Sequence, residues 1–342
     1  MPEPSDRPLT ERHPVSAGVV ALWAGIGAVA LVLVAYVAYR QLLHYERRAI
    51  EHVPVGAELA LRINLEQVVL FDPVRRHLLP LVDRAAVSIS EGEPPPSRLL
   101  RLREAGLNLG MELRELVFAR EPGGGWSLAL GGLFAREPLL PRIEAVLRAE
   151  PGARLRVEGA MIIFEPSGAA LAQAEDGVLI LASDAAMLAR ALPANRGYEG
   201  LGLRRDGAAS LGALGSWLRA LSPPAEGGPL ASNEPLRVSV RLELGDPLEL
   251  YADIEHAAPS AVAAARRELD GWLGTPADGS NFAPQADWGG ERALSARARL
   301  SQASPTQIEV RASWERAELD RATKSLAAWL DARIHASGPV AR

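Results

Sequence analysis

The longest apolar stretch of the chain lies near its N-terminus. Residues 15–39, VSAGVVALWAGIGAVALVLVAYVAY, carry no charged side chain. At about 1.5 Å per residue, such a helix exceeds the roughly 30 Å hydrocarbon core of a bilayer. It is also longer than the about 7–15 apolar residues of a cleaved signal peptide. We therefore expect an uncleaved transmembrane helix at 15–39, preceded by an N-terminal tail at 1–14.

After this run the pattern becomes that of a folded body. Residues 40–52, RQLLHYERRAIEH, are typical of a polar stalk that continues the membrane helix. Beyond Pro54, segments with a period of two, which predict strands, alternate with segments of helical period. Turn sequences such as Glu175-Asp176-Gly177 join neighbouring strands as hairpins. The pattern predicts an α+β fold, with an antiparallel sheet built from β-hairpin–helix units.

The body divides into two similar stretches. Residues 196–206 have glycines and little apolar pattern, which indicates a linker between α+β domains at 53–195 and 207–338. Each stretch reads strand–helix, then hairpin–helix, then further hairpins and a closing helix. Trp-Leu recurs at 217, 272 and 329. We expect an internal duplication in which helices cover one face of the sheet with bulky apolar anchors.

Two segments carry a resemblance to known proteins. GAELALRINLEQV, from Gly56, and DGVLILASDAAMLARAL, from Asp176, resemble phrases in uncharacterised membrane- or lipid-anchored α+β proteins of GC-rich Gram-negative bacteria, notably myxobacteria. These segments are core and turn patterns. The resemblance implies a duplicated, exported α+β body and assigns no site residue.

Composition and charge narrow the possible partners. The formal net charge is −5, which makes nucleic acid a poor electrostatic partner, so we expect none. The chain contains no cysteine, which excludes disulfides and thiolate metal sites.

The predicted span also bears on location and assembly. A short N-terminal flank before a long body favours insertion in the inner membrane with the body in the periplasm; the alternative is a body facing the cytoplasm. Ala17, Ala21 and Gly25 form a small-residue row of the kind that mediates helix dimers, although small residues are common throughout this chain.

No chemical motif emerges from the polar residues. The histidines lack metal-ligand spacing, and His44 and His52, eight residues apart on the stalk, are interpreted as solvated side chains. Ser127 follows Gly125-Trp126 but lacks the rest of a nucleophile elbow. We predict no catalytic, metal or cofactor-binding residue. A Ser–His or carboxylate arrangement assembled only in three dimensions stays open, with His77 and His256 as the histidines to watch.

These observations favour one function over two alternatives. The favoured interpretation is a single-pass membrane protein that presents a non-enzymatic interaction or assembly module, with an unidentified protein partner, outside the cytoplasm. One alternative is a module that binds an apolar ligand or lipid between the two halves. The other is a hydrolase without a recognisable motif.

Overall fold

The structure of the protein is a computed structural model that describes residues 46, 48–81, 112–136, 138–149, 152–221, 235–274 and 299–336. The predicted tail at 1–14, the predicted span at 15–39 and its small-residue row lie outside the described residues. Among the helices that are described, none is both long and apolar enough to cross a bilayer. The described residues from Glu46 onward belong to one compact unit.

Twelve antiparallel strands of the described chain form a single sheet. They are β1 (Leu59–Asn64), β2 (Leu113–Arg120), β3 (Trp126–Gly132), β4 (Leu155–Glu158), β5 (Met161–Phe164), β6 (Ala170–Gln173), β7 (Leu179–Ala182), β8 (Ala209–Leu214), β9 (Arg237–Glu243), β10 (Leu248–Glu255), β11 (Arg299–Ser304) and β12 (Gln307–Trp314). Their order in the sheet is β11-β12-β10-β9-β8-β1-β2-β3-β7-β6-β5-β4. The predicted α+β class with a large antiparallel sheet is confirmed.

Helices follow the strands and hairpins along the chain. The α-helices are α1 (Leu65–Leu70), α2 (Asp72–His77), α3 (Leu140–Arg148), α4 (Ala185–Ala191), α5 (Gly197–Gly200), α6 (Gly215–Leu221), α7 (Pro259–Gly274) and α8 (Arg316–Ala336). Two 3₁₀ helices span Ala49–His52 and Leu133–Arg136. A side-chain cap stabilises the start of α4. Asp184 is its N-cap and accepts a hydrogen bond from the Met187 N–H at 2.8 Å. The neighbouring Ser183 hydroxyl donates to the Asp184 carboxylate.

The two halves of the sheet meet at its centre and follow the same order outward. β1 pairs with β8 in antiparallel fashion. From there, β1, β2, β3, β7 and β6 run outward on one side, and β8, β9, β10, β12 and β11 on the other. Each half therefore has a first strand, a hairpin beside it and a later hairpin beyond.

The same face of the sheet changes character between the halves. Directly paired residues of adjacent strands point to the same side, so the register defines one row across eleven strands. That row is Ile163, Ala170, Ala182, Ser127, Ala119, Ala60, Gly212, Ser239, Asp253, Glu309 and Ser301. It is small and mostly apolar in the first half and polar in the second.

In the first half, this face is part of the main core. The first 3₁₀ helix contacts β2 and β3, and α4 contacts β3, β6 and β7. The buried members of this core include Ile50, Ala60, Val117, Ile180 and Leu188. Because alanines line the sheet here, the helices approach its backbone closely.

On the opposite face, apolar helices cover both halves. In the first half, Leu139 and Ile143, at and within the start of α3, pack with Phe134 and Leu179. In the second half, Val262, Ala265 and Leu269 of α7 pack on Ile254 and Ile308. α7 thus covers the apolar side of β10 and β12. The polar side of these strands lies on the other face of the sheet.

The last residues of the predicted stalk belong to the folded body, so that part of the stalk prediction is wrong. Ala49, Ile50 and His52 are 0%, 0% and 2% exposed. The Ala49 N–H donates to Glu115 at 3.1 Å. The charged neighbours of Ala-Ile made this stretch look solvated, but its apolar side chains dock on the sheet.

The predicted linker at 196–206 is also packed. It contains α5, and Tyr198, Leu201 and Leu203 are buried in the main core. This segment joins the halves while lying against the sheet, and it forms one wall of the site described next.

Candidate functional site

A cleft of about 570 Å³ lies between the joining segment and the polar face of the second half. This volume falls in the range of about 300–1,000 Å³ that is usual for small-molecule sites. The lining residues are Tyr198, Glu199, Gly202, Leu203, Arg204, Arg205, Asp206, Arg237, Ser239, Asp253, Glu255 and Gln307. Most of them are charged or polar, which distinguishes the cleft from the apolar side of the same strands.

A glycine lets the joining segment approach the sheet. Gly202 has a φ of +67°, which side chains rarely adopt, and a Cβ there would lie 3.2 Å from the Ser239 Cβ. Leu201 and Leu203 on either side are buried, and the Ser210 hydroxyl donates to the Arg204 main-chain oxygen at 2.8 Å. The backbone of this wall is therefore fixed at several points.

The wall is connected to the first 3₁₀ helix through Arg205. Its guanidinium lies over the Tyr198 ring, 5.0 Å from the centroid, and donates to the Tyr198 hydroxyl at 2.7 and 3.1 Å. It also donates to Glu51 at 2.6 Å. Burial lowers the pKa of Arg205, but these bonds outweigh burial and leave the pKa raised. The cleft wall and the first 3₁₀ helix thus form one hydrogen-bonded structure.

The floor consists of side chains from neighbouring strands. Arg237 of β9 donates to Glu255 of β10 at 2.6 Å. The Gln307 amide of β12 donates to the Asp253 Oδ1 at 2.9 Å. Ser239 lies directly opposite Asp253 in the register. These bonds run across the strands and hold the floor in a defined arrangement.

Asp206, at the edge of the cleft, forms an ion pair with Arg241, which is not a lining residue. Arg241 donates to its carboxylate at 2.6 Å. Burial raises the pKa of Asp206, but hydrogen bonds from its own main-chain N–H and from Arg241 outweigh burial and leave the pKa lowered. Asp206 is therefore held as a carboxylate.

Two lining groups make no ion pair with a residue in the described part of the chain. Asp253 accepts only the neutral Gln307 amide and makes no ion pair there. The exposed Arg204 side chain makes no hydrogen bond or ion pair to any described residue. Asp206 lies near enough to Arg204 for that charge to help lower its pKa, but its carboxylate is bonded to Arg241. The cleft thus offers one anion, Asp253, and one cation, Arg204, without an ion-pair partner among the described residues.

The residues that the sequence singled out lie elsewhere. His77 contacts Asp320 at 3.0 Å, where α2 meets α8. His256 is buried, and its main-chain N–H donates to Thr306. Ser127 is buried within β3. None of the three lines the cleft, and the described residues contain no group of three side chains able to hold a metal ion.

His52, expected to be solvated, is instead buried in a polar contact. Its Nδ1 lies 2.8 Å from the Ala191 carbonyl oxygen, and its Nε2 lies 3.1 Å from Asp176. Because both neighbours are acceptors, both ring nitrogens donate, which is the charged imidazolium form. This contact fastens the 3₁₀ helix to the end of α4 and to the turn before β7.

The sequence of β9 and β10 contains a local pattern that indicates the polar floor of the cleft. In β9 and β10, polar and apolar positions alternate, RVSVRLE and LELYADIE. Such alternation predicts one polar face in each strand. The local pattern does not show that the joining segment packs against this face. The glycines of that segment indicate a loop but not the position of the loop.

Comparisons with known proteins add little. No family model matches the chain, and no curated protein matches it. Among solved structures, it is similar to one titled "Structure of crystal form I of TP0453", with 9% identity and a TM-score of 0.39, over 85% of this chain and 98% of that chain. A likeness at this TM-score carries no argument about function.

Proposed function

We propose that the protein is a single-pass inner-membrane protein whose α+β body is a non-enzymatic binding module outside the cytoplasm. The uncharged apolar run at 15–39 supports the anchor.

The charged cleft is the observation that carries the binding role. Its floor and wall are held by hydrogen bonds between named side chains, so it is preorganised for a polar partner. The lowered pKa of Asp206 is the opposite of the raised pKa that suits a general acid. No histidine is among the lining residues. These features support recognition of a partner rather than its chemical conversion.

We infer an internal duplication after which the two halves of the described chain took different roles. The matching strand order of the halves supports it. In the first half, the shared sheet face packs under the 3₁₀ helix and α4; in the second, the same face has polar residues and forms the cleft floor. We infer that the first copy stabilises the body and that the second copy binds a polar partner in the cleft.

The other two functions predicted from the sequence stay predictions without a specific observation in their favour. An apolar-ligand module between the halves would need an apolar cavity, whereas the lining of this cleft is mostly charged and polar. A hydrolase would need a nucleophile hydrogen-bonded to a base, and the Ser239 hydroxyl, although opposite Asp253 in the register, makes no such bond to a described residue.

Topology fusions test the anchor. Alkaline phosphatase fused after Arg342 should be active, and green fluorescent protein at the same point should be dark. The reverse pattern would overturn the exported orientation.

A crosslinking experiment tests the binding role. A photoreactive side chain at Ser239, in the cleft, should form adducts in cells, and the same group at the exposed Arg148 of α3 should not. Equal labelling at both positions would contradict a role for the cleft.

A further inference from the structure

The charge balance of the cleft indicates what kind of ligand it accepts. Most of its charged groups already have partners of opposite charge. These pairs are Arg237–Glu255, Arg205–Glu51 and Asp206–Arg241. Such compensated groups position one another and attract a charged ligand only weakly. Asp253 and Arg204, which make no ion pair with a described residue, are therefore the groups available to contact a charged ligand directly.

Asp253 is arranged to accept a cation. It lies half-buried on the floor, where partial removal from water strengthens its attraction to an opposite charge. Gln307 holds its Oδ1 and orients the carboxylate, which leaves Oδ2 as an acceptor. The Ser239 hydroxyl, opposite on β9, is a second polar neighbour. A primary ammonium group, with three donors, matches this set.

Arg204 is arranged to accept an anion. Its backbone is fixed by the buried Leu203 beside it and by the bond from Ser210, while its side chain stays exposed. A guanidinium presents five donors in a planar fork that fits phosphate or carboxylate oxygens. Arg204 lies on the wall of the cleft, and Asp253 lies on its floor.

We propose that the cleft binds a small zwitterion, with its ammonium group at Asp253 and its phosphate or carboxylate at Arg204. A simple cation would make no ion pair with Arg204, and a simple anion would make none with Asp253. This inference rests on the proposed binding role and names its ligand class. A soluble zwitterion and a phosphoethanolamine headgroup of the adjacent membrane share this chemistry.

Binding of three soluble probes to the full chain tests the proposal. The chain is placed in nanodiscs of phosphatidylglycerol, and affinities are measured by calorimetry for glycerophosphoethanolamine, ethanolamine and glycerol phosphate. The zwitterion should bind at least about tenfold more tightly than either single ion, because each charge-assisted contact is worth roughly that factor. If the chain needs no lipid to stay soluble, the membrane anchor fails, and the same titration in buffer still tests the ligand.

Variants assign the two ends of the ligand. Asp253→Asn should weaken zwitterion binding about tenfold and abolish ethanolamine binding. Arg204→Gln should weaken it similarly and abolish glycerol phosphate binding. Asp246→Asn, at an exposed turn, and Arg148→Gln, on α3, are matched controls that should bind like the wild type. All variants are first checked for an unchanged thermal unfolding midpoint.

A second arm distinguishes the source of the zwitterion. In nanodiscs that contain phosphatidylethanolamine, a headgroup ligand would compete and weaken the binding of added glycerophosphoethanolamine; unchanged affinity indicates a soluble ligand. Binding of no probe, equal affinity for zwitterion and single ions, or equal effects of site and control variants would overturn the proposal. If adducts at Ser239 still form in that case, the binding role stands and only the ligand class falls.

Discussion

A buried ion pair connects several parts of the body and allows a quantitative test. The Arg62 Nε lies 2.6 Å from the Glu115 Oε1, with side chains 0% and 1% exposed. The other Glu115 oxygen accepts the Ala49 N–H. Arg62 also donates to the main-chain oxygens of Asp206 and Gly207 at 3.4 and 3.3 Å. The pair thus joins β1, β2, the first 3₁₀ helix and the segment before β8.

Removing one partner leaves the other as an unpaired charge in the core. Glu115→Met should therefore lower the free energy of unfolding by about 3–5 kcal/mol. The interaction of two charges about 4 Å apart at an effective dielectric of 20, about 4 kcal/mol, has the same size. Arg62→Met combined with Glu115→Met removes both charges and loses only the remaining hydrogen bonds, about 1 kcal/mol each. The loss of unfolding free energy in the double variant should therefore be at least about 2 kcal/mol smaller than the sum of the two single losses.

Urea unfolding followed by tryptophan fluorescence measures this coupling in the wild type, both single variants and the double variant. Arg148→Met removes an exposed pair with Glu144 and should cost less than about 0.5 kcal/mol. A loss below about 1 kcal/mol for Glu115→Met, together with additive effects in the double variant, would refute the reasoning. The pair would then be hydrated and would not hold these elements together.

Three further predictions concern the same elements. Gly212→Ala should cost about 1–3 kcal/mol in urea unfolding, because its Cβ would lie 2.5 Å from a main-chain oxygen of the joining segment, whereas Gly200→Ala meets no atom within 4 Å; equal losses would contradict this packing. Burial lowers the pKa of His52, but its hydrogen bonds outweigh burial and leave the pKa raised, so its stabilisation is complete below about pH 6.5 and is lost as the pH rises through the raised value. His52→Gln should flatten this fall in unfolding free energy above about pH 6.5, and an unchanged slope would exclude the imidazolium. A chain that starts at Val53 should be at least about 3 kcal/mol less stable than one that starts at Glu46, because it lacks the buried 3₁₀ helix; equal denaturation midpoints would place that helix outside the core.

Much of the local structure was determined by the sequence alone. The polar–apolar alternation of RVSVRLE and LELYADIE around Gly245-Asp246-Pro247 is typical of a hairpin, and these residues form β9 and β10. Both the alternation and the turn lie in contiguous residues, so a short stretch of sequence encodes them. The helical spacing of Leu319, Leu326 and Trp329 likewise indicates α8.

Tertiary structure decided which of these elements meet. β1 pairs with β8 across some 150 positions of chain, and β3 pairs with β7 rather than with the strand that follows it. His52 has a polar, charged neighbourhood in sequence and was expected to be solvated, yet its two partners are distant in the chain. The floor of the cleft, likewise, brings Gln307 to Asp253 across strands. Periodicity shows which face of an element is apolar, but the choice among many similar apolar faces depends on packing summed over the whole core, and a local pattern does not contain that sum.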